Sequence, residues 1–430
     1  MSLERNILAN YVGSGAVALA PILALPWYLA ALGPQQFGFV GFVTTLQAVL
    51  NLLDAGMGQA LVREVSLRAA GEGQTKPRTA TLLYGFERFY WALALLAGLG
   101  LALLAGPIAR HWLHLDGDSL SSGHMAVFGA AAIFAAMFPG SLYRSLLVGT
   151  EHQVALNKIL FAATLLRHGG AVLAVTWWPS LSTYLAWHVA AGLIETALRG
   201  RAAWAATGTR RRDARWQGDV IRRAWPAIAG LAIASGLGAL TMQLDKVLLS
   251  SLVPIADFGY YVIASSAAGG MLLLTYPLMQ AALPRALRLQ DDPGALRRLY
   301  LRLAVAIALI AGSGMAAYAA IGPHLLRWWL KDAHAAAVVY PLLGWLLAGA
   351  ILNAFYNIGY THWLVRGKVH RIFQINLLTG ALCLLVIPFM VARFGAVGAT
   401  SGWLLINLVG LAASLPGLFR IHMARDGSTA

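Results

Sequence analysis

The chain is a succession of long apolar runs separated by short polar turns. A helix needs ~20 apolar residues to cross the hydrocarbon core of a bilayer. On that criterion the sequence predicts twelve transmembrane helices, near 7–32, 37–61, 81–105, 124–148, 157–178, 182–204, 224–251, 258–282, 299–321, 334–362, 370–391 and 395–419. The first run is longer than the apolar core of a cleaved signal peptide and is read as a retained helix. One polar stretch breaks the pattern more strongly than the others, Thr207 to Arg223, TGTRRRDARWQGDVIRR. Its arginines, Arg210, Arg211, Arg212, Arg215, Arg222 and Arg223, keep it out of the hydrocarbon. Trp216, Val220, Ile221, Ala224 and Trp225 recur at helical spacing, so a surface-lying amphipathic helix and a solvated basic loop both fit. The expected organisation is an N-terminal six-helix bundle (1–206), a basic cytoplasmic linker (207–223), a C-terminal six-helix bundle (224–419) and a cytoplasmic tail (420–430).

Composition agrees with an all-α polytopic membrane protein. Charged residues at 11% and hydrophobic residues at 59% leave too little polar surface to keep 430 residues dispersed in water. The net charge of +15 would suit nucleic acid if it lay on one face of a soluble domain. Instead the basic residues lie between apolar runs, which excludes nucleic acid as a partner and points to the bilayer. They also alternate in side, as Lys and Arg do when they are retained in the cytoplasm. One side receives Arg5, then Arg63 and Arg68, then Arg144 and Lys158, then the central segment, Arg285 and Arg288, Arg366 and Lys368, and Arg420. The other receives Arg110, Arg327, Lys331 and Arg393. Both termini are therefore expected in the cytoplasm. Cys383 is the single cysteine, so no intramolecular disulfide forms.

The two halves also resemble each other. LGPQQFGFVGFVTTL (Leu32 to Leu46) joins the first two predicted helices, and SLVPIADFGYYVIASS (Ser251 to Ser266) joins the seventh and eighth. Each has a proline shortly before Phe-Gly. Six helices is an even number, so the halves share one orientation and are related as a parallel repeat.

No Walker lysine motif, HExxH zinc spacing or nucleophile elbow occurs, and no loop has room for a nucleotide-binding domain. No cofactor or metal is expected. The ionisable residues within the spans carry most of the information, because charge is expensive there. Arg167 and His168 lie ~10 residues into the fifth predicted helix, or ~15 Å, near the midplane. Glu195 on the sixth helix lies at comparable depth. Arg167 therefore either pairs internally with Glu195 or lines a polar cavity. Asp245 and Lys246 fall in the periplasmic third of the seventh helix and project ~100° apart, with Lys246 free to snorkel outward. Asp54, ending the second helix in NLLDAGMGQALVRE, reads equally as a structural tie or a functional group. Arg144 reads by default as an interfacial anchor. Asn51, Asn353, Asn357, Asn376 and Asn407 suit interhelical hydrogen bonds. Pro21, Pro26, Pro226, Pro277 and Pro388 mark bends.

LGPQQFGFVGF, NLLDAGMGQALVRE, QLDKVLLSSLVP and FGAVGATSGWLLINL, in this order and spacing, resemble the multidrug/oligosaccharidyl-lipid/polysaccharide exporter superfamily. Within it the chain is most similar to the Wzx-type O-antigen and polysaccharide flippases. That resemblance implies a pair of six-helix bundles that alternates between inward and outward openings. It implies a cargo of oligosaccharide linked to a polyprenyl pyrophosphate, in a bacterial inner membrane alongside polysaccharide-assembly partners. Arg167, His168, Lys246 and Arg144 are then candidate substrate contacts, and Glu195, Asp245 and Asp54 candidates for coupling to a proton or sodium ion or for ion pairing. A cation-coupled multidrug exporter of the same superfamily is the alternative. A membrane-embedded polymerase or glycosyltransferase is a further one, usually marked by a large extramembrane loop that is absent here.

Overall fold

The fold comes from a computed structural model that describes residues 3–54, 57–58, 61–62, 65–66, 75–214, 218 and 240–423. Every secondary-structure element among them is helical. The chain divides into two compact units, Met1–Leu240 and Thr241–Ala430. Part of the predicted linker, 215–217 and 219–223 with Trp216, Val220 and Ile221, lies outside the described residues, as do Pro226 and most of the predicted seventh helix.

The first unit begins with α1, Leu3–Leu50, in which two helices run together across a break at Gly33. Gly33 has φ 75°, a left-handed conformation that a side chain disfavours, and Pro34 restarts the helix beyond it. A 3-10 turn, Asn51–Asp54, ends the second segment. There follow α2 (Thr75–Leu103), α3 (Gly117–Met137) and α4 (Pro139–Gly149), the last two forming one continuous apolar run. Next, α5 (Gln153–Thr164) passes through a π-helical turn, Leu165–Gly169, into α6 (Gly170–Trp177). Last comes α7, Leu181–Thr207, whose Ser180 hydroxyl caps the Thr183 amide at 3.2 Å. Leu82, Leu83, Phe86 and Tyr90 from α2 meet Phe134, Phe138, Leu142 and Leu146 in a buried core.

The second unit opens with α8, Leu244–Leu252, followed by α9 (Ile255–Arg288), α10 (Pro293–Leu330), α11 (Ala333–Val365), α12 (Val369–Phe394) and α13 (Ala396–Met423). The α8–α9 junction again places a non-helical residue, Val253, before a proline, Pro254. A proline disfavours helical backbone in the residue before it, so both halves stop a helix at the same kind of dipeptide. Beyond each break the paired phenylalanines, Phe37 and Phe258, are fully buried.

α11 and α13 pack closely because glycines let them. A β-carbon on Gly349 would collide with Trp403, and one on Gly359 would lie 2.1 Å from the Ser414 side chain. Small residues bring helix backbones together in this way inside membranes. Asn353 and Asn407, both fully buried, join the same two helices by a 2.7 Å bond from Nδ2 to Oδ1. Asn357 adds a 2.9 Å bond to the Asn353 side chain.

Nine helical segments among the described residues are long and apolar enough to cross a membrane. One of these, Leu19–Asp54, takes in parts of both the first and second predicted spans. The predicted sixth span corresponds to α7, a helix of 27 residues that falls outside the nine. Glu195, Arg199 and Arg201 together make it more charged than its neighbours. Several helices overrun their predicted ends. α10 has 38 residues, or ~57 Å, against a hydrocarbon core of ~30 Å. Its polar first turn is stabilised by the Asp292 carboxylate, which accepts from the Ala295 amide at 2.8 Å.

Candidate functional site

Arg167 and His168 sit in the π-helical turn that separates α5 from α6, midway along the apolar run Gln153–Trp177. A π turn widens the helix by one residue and leaves carbonyls poorly matched. Here the Trp187 indole of α7 donates to the Leu166 carbonyl at 2.9 Å. Gly170 makes that approach possible, since a β-carbon there would lie 2.2 Å from the Trp187 ring. The turn thus projects Arg167 toward α7.

On α7, Glu195 is 3% exposed and forms ion pairs with both Arg167 and Arg199. Arg199 lies one helical turn beyond Glu195 and also donates to the Gly140 carbonyl at 3.4 Å. Two guanidinium groups on one carboxylate leave a net positive charge in a largely desolvated place. The Nε atoms of Arg167 and Arg199 are buried without a hydrogen-bond partner. A buried unpaired N–H is costly, so the site is chemically suited to an anion that would accept from these donors.

An aromatic and imidazole cluster adjoins the triad. Tyr28 of α1 donates to the His168 carbonyl at 3.3 Å, and its hydroxyl lies 3.4 Å from His168 Nδ1. Tyr184 packs edge-on to Tyr28 with ring centres 5.1 Å apart, and on His188 at 4.0 Å. His188 Nδ1 bonds to the Tyr184 carbonyl at 2.9 Å, and its Nε2 is buried without a partner. An apolar cavity of about 600 Å³ adjoins this region, walled by Trp177, Trp178 and Trp187.

Of the other sequence candidates, Arg144 lies within electrostatic reach of Arg199, and Asp54, Asp245 and Lys246 have partners of their own. Asp54 accepts from the Tyr90 hydroxyl at 2.6 Å, with Ser141 and Arg144 close by. Arg144 is exposed. In the second unit, Asp245 is buried and accepts from Tyr261 at 2.6 Å. Lys246 does not snorkel away: its Nζ lies 3.5 Å from both Asp245 oxygens. The long lysine stem folds back, so adjacent residues that leave the helix in different directions line one cavity of about 210 Å³ with Gln243 and Ser265.

Two groups stand out that the sequence did not single out. Arg199 completes the triad, and the Glu195–Arg199 spacing of four residues is the signal that would have found it. Glu87 of α2 is 4% exposed, accepts from the Tyr143 hydroxyl at 2.6 Å and from the Trp204 indole at 3.3 Å, and pairs with Arg211 at 3.1 Å. Arg211 belongs to the central basic segment, so that segment is tied to the first unit at its near end. Among the described residues no cluster suited to a metal ion occurs.

The polysaccharide biosynthesis protein family matches residues 3–290. The chain belongs to that family. No curated protein sequence matches it. Among solved structures it is similar to an inward-facing multidrug resistance MATE family transporter of the MOP superfamily, at TM-score 0.69 and 13% identity, covering 96% of each chain. It is also similar to the lipid II flippase MurJ in an inward closed conformation, at TM-score 0.72 and 10% identity, covering 95% of this chain and 86% of that one. A third is a MOP superfamily transporter from Pyrococcus furiosus, at TM-score 0.54 and 12% identity, covering 97% and 94%, whose description notes a reversed polarity of the binding pocket. The fold is that of this superfamily. Together with the long apolar helices it marks the chain as a multi-pass membrane protein.

Proposed function

We propose that the protein is a flippase that moves a polyprenyl-pyrophosphate-linked oligosaccharide, an O-antigen or exopolysaccharide repeat unit, from the cytoplasmic to the periplasmic leaflet. The observation that carries this reading is the buried Arg167–Glu195–Arg199 triad, with its excess positive charge and its two unpartnered Nε donors. A pyrophosphate offers several anionic oxygens, and guanidinium donors match them in charge and planar geometry. Family membership in polysaccharide biosynthesis supports a saccharide cargo, and the flippase among the structural neighbours supports a lipid carrier. Transport proceeds by alternating access without covalent chemistry. The carboxylate shared by the arginines keeps the site from holding the anion too tightly to release it.

A second reading, a cation-coupled multidrug exporter, draws on Asp245, which is buried beside the cavity of the second unit. Lys246 at 3.5 Å weakens its appeal for a cationic drug, because the pair is already neutral overall. In the flippase reading, the Asp245–Lys246 pair with Tyr261 is the candidate for coupling to a proton or sodium ion.

The test uses the purified full chain in proteoliposomes carrying an undecaprenyl-pyrophosphate oligosaccharide, with leaflet location read by an impermeant sugar-modifying enzyme. The wild type is expected to expose the internal pool, Arg167→Ala to lose that activity while staying folded, and Arg167→Lys to retain part of it. Normal transport by Arg167→Ala would overturn the assignment of the site. Efflux of a cationic dye with no movement of the lipid-linked sugar would favour the exporter instead.

A further inference from the structure

The second unit contains a cavity of about 190 Å³ between α10, α11 and α13 that the transport site does not use. Its walls are mostly apolar, with Ile358 buried, Leu411 half-buried, and Leu301 and Leu415 exposed at the rim. Two polar residues break that lining, Arg297 and Tyr300, on the first turns of α10. Tyr300 is only 7% exposed, and its hydroxyl has no hydrogen-bond partner. Arg297 Nε is likewise buried and unpartnered. The buried ring of His362 meets Tyr300 edge-on at 5.9 Å with its Nδ1 also unpartnered, and Arg366 lies near both.

Such a group of donors at the mouth of an apolar cleft has a definite complement. Burying a phenol and a guanidinium N–H without acceptors is unfavourable, so an acceptor of negative charge belongs there. The apolar walls and the exposed leucines at the rim require that acceptor to carry a hydrocarbon chain. Charge alternation places this end of α10 on the cytoplasmic side, where basic pockets between helices attract anionic head groups.

We infer that this cavity is a binding site for an anionic phospholipid of the adjoining leaflet. Arg297 and Tyr300 hold the phosphate, and the start of one acyl chain lies between α10 and α13. This inference is independent of what the transporter carries.

The test titrates the delipidated full chain, in detergent, with dioleoyl phosphatidylglycerol and counts bound lipid by native mass spectrometry. Dioleoyl phosphatidylcholine, inorganic phosphate and undecaprenyl phosphate are titrated in parallel. Phosphatidylglycerol is expected to half-saturate one site at about tenfold lower concentration than phosphatidylcholine. Arg297→Ala should raise that concentration about tenfold, corresponding to loss of one charge-assisted contact. Tyr300→Phe, which removes only the hydroxyl, should raise it a few-fold, on the order of one neutral hydrogen bond, and keeps the test valid if Arg297→Ala fails to fold. Arg298→Ala removes the same charge from an exposed neighbour and should change nothing. Equal losses from the Arg297 and Arg298 substitutions would overturn the site in favour of diffuse attraction. Displacement by inorganic phosphate at equal concentration would make it a free-anion site, and tighter binding of undecaprenyl phosphate a cargo-lipid site. Either result would also overturn the inference.

Discussion

The triad sets an order of importance among three charged side chains. Removing one partner of a buried ion pair costs about 3–5 kcal/mol when the other is left uncompensated. Arg167→Ala leaves Glu195 still paired with Arg199, so its loss should fall below that range. Glu195→Ala leaves two guanidinium groups facing each other without a counter-charge, and should destabilise the protein more than either arginine substitution. Thermal unfolding in detergent checks the order, and a larger loss for Arg167→Ala than for Glu195→Ala would show that Arg199 does not share the carboxylate. At this scale the sequence was partly legible. The depth of Arg167 and Glu195 made their pairing one of two readings, because a lone charge at the midplane demands a partner or water. Arg199 and Glu87 escaped notice because each lies toward an end of its predicted span, 182–204 and 81–105, where a charge is normally solvated. Their burial depends on neighbours distant in sequence, such as Gly140 for Arg199 and Tyr143 for Glu87, which no local pattern reveals.

Two glycines show how different demands shape the helical elements. Gly33 has open space where a β-carbon would go, so only its left-handed backbone resists substitution. Gly33→Ala should cost about 1–3 kcal/mol, the strain of a backbone conformation adopted essentially by glycine alone. Gly359 is an ordinary helical residue, yet a β-carbon there would strike Ser414. Gly359→Ala should cost about 1–3 kcal/mol as α11 and α13 are forced apart. The double substitution Gly359→Ala with Ser414→Gly should recover most of that loss, and no comparable partner exists for Gly33. Failure of the double variant to unfold later than Gly359→Ala would remove steric contact as the cause. Helix existence was readable from apolar run length, and the breaks at Gly33 and Val253 from the prolines that follow. Helix ends were less so, since capping by Asp292 starts α10 at Pro293, ahead of the apolar stretch predicted from 299. The π turn at Leu165–Gly169 has no local signature of its own, and it is the feature that places Arg167.

For the whole molecule, the expected topology rests on the charge alternation alone, and the helix order permits a direct test. α3 and α11 begin at polar turns assigned to the periplasm, while the 3-10 turn Arg211–Asp213 and the start of α10 lie on the side assigned to the cytoplasm. Cysteine placed at exposed positions in these turns reports the side directly. Asp118→Cys and Ala333→Cys should react with a membrane-impermeant maleimide added outside intact cells. Arg212→Cys and Asp291→Cys, also exposed, should react only after the membrane is opened. The native Cys383 is fully buried, so its background should be low. External labelling at Arg212→Cys would invert the arrangement. It would also place the arginine-rich segment, anchored through Arg211 to Glu87, opposite the side on which Lys and Arg are retained. In that case the positive end of the cavity at Arg297 would face the outer leaflet, and the direction of transport proposed for the cargo would lose its charge-based support.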